Sequence, residues 1–334
     1  MNKKLVLILL IFLVSCSKET LEVEVSQNKS SAKIVGYLPT WRFELSSKVE
    51  YCKLTHLNLA FANPDSSGSL IMPDISGVVA DAKSKNPNIK ISISIGGGSL
   101  STQQASNWSN LIDNSQNRSK VVSKIVDYVL LNNLDGVDVD LEWNYVTSGY
   151  SAFVVDLNNA LDQHSKMITA AFPATTRYSN LSDNALSAFD FINIMSYDFT
   201  GPWDPNNVGQ HSSYNHANQS INFWKNSVGV SSEKLVLGVP FYGYDFSDVT
   251  NVTSFTFSSM VGLKSSNADI DNVGFKYYNG RPTIRSKVQL ASTEVGGIMI
   301  WEIGQDSFND YSLLKTIHKE FDKLGFKTTE LCKE

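Results

Sequence analysis

From Lys33 onward one pattern repeats: a short, apolar, β-branched run, then a helical stretch, then another run. The runs occupy residues 33–38, 55–62, 89–95, 135–142, 167–172, 191–197, 235–241 and 297–301. Between them the clearest amphipathic stretch is 118–132, where Val121, Val122, Ile125, Val126, Val129 and Leu130 recur at helical spacing. Strands that are apolar on both faces and separated by helices belong to a parallel sheet covered on both sides. Eight such units in about 295 residues predict an α/β protein built as a (β/α)8 TIM barrel. A doubly wound sheet needs a Gly-rich phosphate turn after its first strand, and Gly36-Tyr37-Leu38-Pro39 is not one.

In such a barrel, function collects at the C-terminal ends of the strands. Five runs end in polar or aromatic clusters: Tyr37 with Trp41, residues 94–97, Asp138 with Asp140 and Glu142, Tyr197 with Asp198, and Trp301 with Glu302. They imply one shared site. Its strongest element is the fourth run, Asp135-Gly136-Val137-Asp138-Val139-Asp140-Leu141-Glu142-Trp143. Alternate residues of a strand share a face, so Asp138, Asp140 and Glu142 point into the barrel while Val137, Val139 and Leu141 face the helices. Three acids crowded into a low-dielectric cavity raise the pKa of at least one of them, which keeps a carboxylic acid protonated near neutral pH as a general acid. A metal site is the weaker reading, because His56, His164, His211, His216 and His318 are scattered and none adjoins the acids. No metal or cofactor is expected. A solvated acidic strand conflicts with the alternating valines.

These residues resemble the DxxDxDxE signature of glycoside hydrolase family 18, the family of chitinases and endo-β-N-acetylglucosaminidases. The resemblance covers roughly residues 33–324. Three further motifs fall on the expected strands: Ser94-Ile95-Gly96-Gly97 is similar to the family's SxGG, Met195-Ser196-Tyr197-Asp198 to its MxYD, and residues 297–302 to its closing GGxMxWE. The resemblance implies that Glu142 protonates the glycosidic oxygen and later deprotonates water. It implies that Asp140 turns toward the substrate's acetamido group and shares a proton with Asp138. Tyr197 would hold the acetamido carbonyl as it attacks the anomeric carbon, Asp198 would support that sugar, and Trp301 would floor the subsite. Substrate-assisted retention is then the implied chemistry, an exception to two-carboxylate catalysis. Spacing alone would mislead, since strand positions two apart lie about 7 Å apart and suggest an inverting pair.

Other residues carry weaker signals. Ser94 is a candidate hydrogen-bond donor to Asp138, although residues 94–98 would also serve as a plain turn. Trp41, Trp143 and Trp203 are candidate sugar platforms, because pyranose C–H faces stack on indole. Trp108 and Trp224 lie in helical stretches and are expected in the core. Tyr37, Phe61 and Tyr242 sit near strand ends, where they line the site or fill the barrel mouth. Residues 244–296 leave little room for a large inserted α+β domain, so a shallow, open cleft is expected. Cys52 and Cys332 both fall at the bottom of the barrel, where a disulfide is geometrically plausible.

The N-terminus reads as an export signal. Lys3 and Lys4 precede an apolar run too short to span a bilayer, which ends at Leu13-Val14-Ser15-Cys16, a sequence similar to the lipobox of bacterial lipoproteins. The expected organisation is a signal peptide over 1–15, a lipidated tether over 16–32 anchored at Cys16, a catalytic domain over 33–326 and a tail over 327–334. The protein is expected to be exported to the bacterial outer membrane or cell surface, touching the membrane only through its lipid. With a net charge of -5 the chain has no basic excess for phosphates, which argues against nucleic acid. The expected partners are chitin, chitooligosaccharides or N-glycans, bound by a monomer. A chitinase-like hydrolase is the first reading, and an endo-β-N-acetylglucosaminidase acting on N-glycan cores is the second. A non-catalytic lectin of the same fold comes third, because such lectins typically lack the acid that Glu142 supplies.

Overall fold

The computed structural model describes residues 32–327. The expected signal peptide, Cys16, nearly all of the expected tether and tail, and Cys332 lie outside the described residues. Eight strands form the centre: Lys33–Pro39, His56–Pro64, Lys90–Gly97, Gly136–Leu141, Met167–Pro173, Phe191–Met195, Leu235–Pro240 and Gly297–Trp301. Each pairs in parallel with the next, and the first pairs with both the second and the eighth, so the sheet closes on itself. This is the (β/α)8 barrel that the alternating runs predict.

The helices show why the alternation is legible. Ser115–Leu131 starts where the Asn114 side chain accepts hydrogen bonds from the amides of Gln116 and Asn117, and it stops before Asn133, whose φ of 51° no helix continues. It buries Val121, Val122, Ile125, Val126 and Val129 against the barrel, while Leu130 turns outward at 40% exposure. Each such burial stabilises by roughly 1.5–3 kcal/mol, so a charge at Val121 would undo this unit. The first connection departs from the pattern, with 3-10 turns at Thr40–Lys48 and Tyr51–Lys53 in place of an α-helix.

The strands separate two environments. Outward residues such as Val137, Val139 and Leu141 join the helices in one large apolar core. The inward positions are unusually polar for a barrel, and Asn58, Ser92, Ser94, Asp138, Thr169 and Asn193 are all buried there. Trp108 and Trp224 are buried, as their helical settings suggest.

After the seventh strand the chain forms more structure than the sequence suggests. Tyr242–Asp245, Thr253–Thr256, Asn272–Val273 and Lys276–Tyr277 make a small antiparallel sheet, joined by the helix Phe257–Leu263. Among the described residues there is no large inserted domain, but this small insert is an α+β unit in its own right. Its strands of two to four residues are too short to show a period. Cys52 is disulfide-bonded.

Candidate active site

Strand register decides how each acid of the fourth strand is treated. Asp138 lies between Ser94 on the third strand and Thr169 on the fifth, both inward-facing hydroxyl residues. Ser94 Oγ donates to Asp138 Oδ2 at 2.8 Å and Thr169 Oγ1 to Oδ1 at 2.6 Å. Tyr37 Oη adds 2.7 Å to Oδ2, and Asn193 Nδ2 adds a longer contact of 3.4 Å to Oδ1. Asp138 is fully buried, and burial pushes its pKa up, but all four donors pull the other way. No hydrogen bond joins it to Asp140 among the described residues.

Asp140 has the opposite surroundings. Its register partner is Gly96, and the next inward position on the fifth strand is Ala171, so neither flank offers a side-chain donor. Asp140 Oδ1 is buried without a hydrogen-bond partner. Burial, with Glu142 and Asp138 adding repulsion, holds its carboxyl well above the usual range. Gly96 must be glycine: its φ is +102°, and a Cβ there would meet the Asp140 carbonyl oxygen at 2.7 Å.

Glu142 follows the strand's last residue and faces the cleft, with Gly98 packed so closely that a Cβ there would come within 2.5 Å of Glu142 Oε1. Burial first, and the Asp198 carboxylate second, push its pKa to about 7. An acid at about 7 keeps much of its proton at neutral pH and still functions as a base after losing it. Tyr197 also lines the cleft, and the nearest partner of its hydroxyl is Met299 Sδ at 4.0 Å, a weak acceptor. Its phenol is therefore available to a ligand. Burial raises that phenol well above the ordinary value, so it is a donor.

Asp198, three residues past the end of the sixth strand, adopts a left-handed φ of 63° and lines the cleft. Oδ1 accepts from Tyr242 Oη at 2.5 Å and Tyr244 Oη at 3.1 Å, both on the insert, and His211 Nδ1 lies 3.2 Å away. Tyr242 thus supports Asp198 and packs edge-on against Tyr197 and Tyr244.

The cleft encloses about 950 Å³ at the C-terminal end of the barrel. Trp301 lines it, stacked on Phe61 at 5.6 Å and met edge-on by Tyr37 at 5.6 Å. Tyr37 borders the cleft with its ring while its hydroxyl serves Asp138. Trp41, Trp143 and Trp203 stand along the rim, 56%, 56% and 58% exposed. Glu302 is buried and faces away from the chemistry: it pairs with Arg42 at 3.1 Å and accepts from the Gly304 amide at 2.7 Å.

Sequence reasoning missed Thr169, Asn193, His211 and Tyr244. A polar residue in the inward phase of an otherwise apolar strand would have flagged Thr169 and Asn193. Nothing local marks His211 or Tyr244, which the fold brings to Asp198 from the loop after the sixth strand and from the insert.

Residues 33–306 match the family described as Glycosyl hydrolases family 18. Among solved structures, the chain is similar to the GH18 chitinase ChiB from the chitin utilization locus of Flavobacterium johnsoniae. That similarity amounts to 53% identity and a TM-score of 0.89, over 91% of this chain and 98% of that one. A chitinase from Bacteroides thetaiotaomicron shares 29% identity with a TM-score of 0.77, over 89% and 98% of the two chains. Among curated proteins, Probable chitinase 10 of Drosophila melanogaster is 24% identical over 91% of this chain, which spans 17% of the fly protein. Chitinase-3-like protein 2 of Homo sapiens is 24% identical over 86% of this chain and 90% of its own length.

Proposed function

The chain belongs to the glycosyl hydrolases of family 18, and from that premise we propose that it cleaves β-1,4-linked N-acetylglucosamine glycans as a retaining, substrate-assisted, chitinase-like hydrolase. One observation carries the reading: a proton-holding Glu142, an Asp140 oxygen without a partner and an uncommitted Tyr197 phenol converge on one aromatic-lined cleft.

In the first step Glu142 gives its proton to the glycosidic oxygen as the bond to the anomeric carbon breaks. The substrate's acetamido carbonyl oxygen closes on that carbon, and the positive charge spreads into an oxazolinium ring. Asp140 Oδ1 accepts the amide N–H and Tyr197 donates to the carbonyl oxygen, so both are placed where charge develops. Water then attacks the anomeric carbon, Glu142 takes its proton, and the ring opens with the β configuration restored. Asp138 is held in place by its own four donors.

The test is product analysis on chitotetraose, on its deacetylated counterpart and on a high-mannose glycopeptide. The reading expects cleavage of chitotetraose with the β-anomer appearing first by proton NMR, and loss of most of the rate when the reacting sugar is deacetylated. Initial α-anomer, or equal rates on both oligomers, would overturn substrate assistance. Preference for the glycopeptide would make the enzyme an endo-β-N-acetylglucosaminidase, and binding without cleavage would make it a lectin. Export and lipid anchoring at Cys16 belong to the same proposal. Fatty-acid labelling that survives Cys16→Ala would remove that part of it.

A further inference from the structure

Lys287 is a fully buried lysine on the helix Arg281–Glu294, outside the barrel wall, and the chemistry above does not use it. Among the described residues it forms no ion pair. Its ammonium instead uses three neutral acceptors, each at 2.7 Å: Ser212 O, Ser212 Oγ and Asn279 Oδ1. Burying a charge with no carboxylate in direct contact is expensive: the Asp271 carboxylate favours the ammonium electrostatically, but burial outweighs it and pushes the Lys287 pKa down to about 7. A methionine would fill similar space without that penalty, so the amine's hydrogen bonds call for an explanation.

The bonds lead to the catalytic rim. Ser212 Oγ donates to Ser196 O at 2.6 Å, and Ser196 immediately precedes Tyr197 and Asp198. Asn279 Nδ2 also donates to Ser212 O at 2.8 Å, so Ser212 is gripped on both its polar groups. One residue before Ser212, His211 is buried beside Asp198, and its carbonyl accepts from the Phe199 amide at 3.0 Å. Ser196 is fixed from its other side by Ser220 Oγ at 2.9 Å. Every member of this chain of contacts, from Lys287 through Asn279 and Ser212 to Ser196 and His211, is buried.

We propose that Lys287 is a positioning residue for the hydrolytic reaction, which through Ser212 sets the placement of Tyr197 and Asp198 at the end of the sixth strand. The inference rests on the hydrolase reading, since it assigns Lys287 an effect on the two residues that hold the reacting sugar. It acts on geometry, so loss of the amine should be felt where the substrate changes most, in kcat.

The experiment compares Lys287→Met, Ser212→Ala and the double variant with the wild type on chitotetraose, each checked for a cooperative melt. Lys83→Met, which removes the lysine paired with Asp135 at 2.8 Å, far from the cleft at the N-terminal end of the fourth strand, is the control for general destabilisation. Displacements of about an ångström at a reacting centre cost on the order of 100-fold, and the partial loosening here should lower kcat by ~10-fold in each single variant with KM changed less than ~3-fold. The double variant should be little worse than either single one, because both break the same link, and the control should keep its kcat. If Lys287→Met does not fold, Ser212→Ala carries the comparison. A wild-type kcat in folded Ser212→Ala, or equal losses in the control, would overturn the proposal. Failure of the hydrolase reading shows separately, as a wild type that does not turn over chitotetraose. In that event the ring-nitrogen NMR signals of His211, beside Asp198, still decide the structural link: they should shift in Ser212→Ala and not in Lys83→Met, and an unmoved His211 overturns it.

Discussion

Asp138 and Asp140 stand two residues apart on the same strand and face the same interior, but their neighbours treat them differently. Around Asp138 the third, fifth, first and sixth strands each supply a donor: Ser94, Thr169, Tyr37 and Asn193. Around Asp140 the same third and fifth strands supply Gly96 and Ala171, and one oxygen is left unpaired. One step further out, Glu142 has burial and a neighbouring anion but no donor to lower its pKa. A carboxyl with donors is part of the scaffold, whereas one without them exchanges protons and awaits a ligand. The transition takes place within a few residues, between the closed interior and the cleft.

The sharpest way to break this comparison is at its outer end. Glu142→Gln keeps the shape of the side chain but carries no transferable proton, and general acid–base catalysis of this kind contributes roughly 10²–10⁴-fold. The variant should lose on the order of 1,000-fold in kcat on chitotetraose while binding the oligosaccharide within a few-fold by calorimetry. Near wild-type turnover would remove Glu142 from the mechanism.

Tyr197→Phe comes next. The phenol has no strong partner in the free protein, so its removal leaves no buried group stranded and should not unfold the barrel. Loss of one preorganised donor to a developing charge costs about 10²–10³-fold. A fall near the lower bound is expected in kcat, with KM rising only slightly, because the contact strengthens toward the transition state. A change confined to KM would make Tyr197 a ground-state binding residue.

The inner acids were legible in the sequence because period two over Val137–Leu141 assigns faces without any tertiary knowledge. The barrel was legible for a different reason: eight apolar runs alternate with helical stretches, the pattern of a parallel sheet covered by helices. Whether an inward acid would be paired or orphaned was not legible, since that depends on which residue of strands some 30 to 45 positions away falls opposite it. Register fixes Ser94 beside Asp138 and Gly96 beside Asp140, and it is set by how the barrel closes. Asp198 is harder still: its partners Tyr242, Tyr244 and His211 come from a loop and an insert with no repeating pattern. The rim tryptophans fall between these cases, because Trp203 in a Gly-Pro-rich loop announces exposure but not direction.

The unequal treatment of the acids also shapes stability with pH. The Glu142 pKa is about 7 in the folded protein against an ordinary 4.5, so the folded state holds more protons across that interval. Stability contributed by this group is present below about pH 4.5 and is lost as pH rises toward 7. Glu142→Gln has no such term, so at pH 8 it should be more stable than the wild type by up to about 3 kcal/mol, the two converging at pH 4. Urea midpoints at the two pH values measure the difference. A variant that is less stable at pH 8 would show that Glu142 is not strained by its surroundings.

The smallest effect tests the inner end. Ser94→Ala removes one of four donors to Asp138 and leaves Thr169, Tyr37 and Asn193 in place. Removing a hydrogen bond to a charged group typically costs about 1.5–3 kcal/mol, and with three donors remaining the lower figure applies. The alanine is smaller than serine by one oxygen, so little cavity opens and the strand register should persist. Asp138 becomes easier to protonate, so its pKa rises further above the ordinary value and the loss of stability should grow as pH rises and shrink in acid. Because Asp138 lies below the reacting end of the strand, kcat should stay within about 3-fold of the wild type. A loss near 100-fold with unchanged stability would mean that Ser94 acts through Asp138 on Asp140 during turnover. In that case the contrast between a scaffold acid and a working acid would hold only for the resting protein, with the boundary between them moving once substrate is bound.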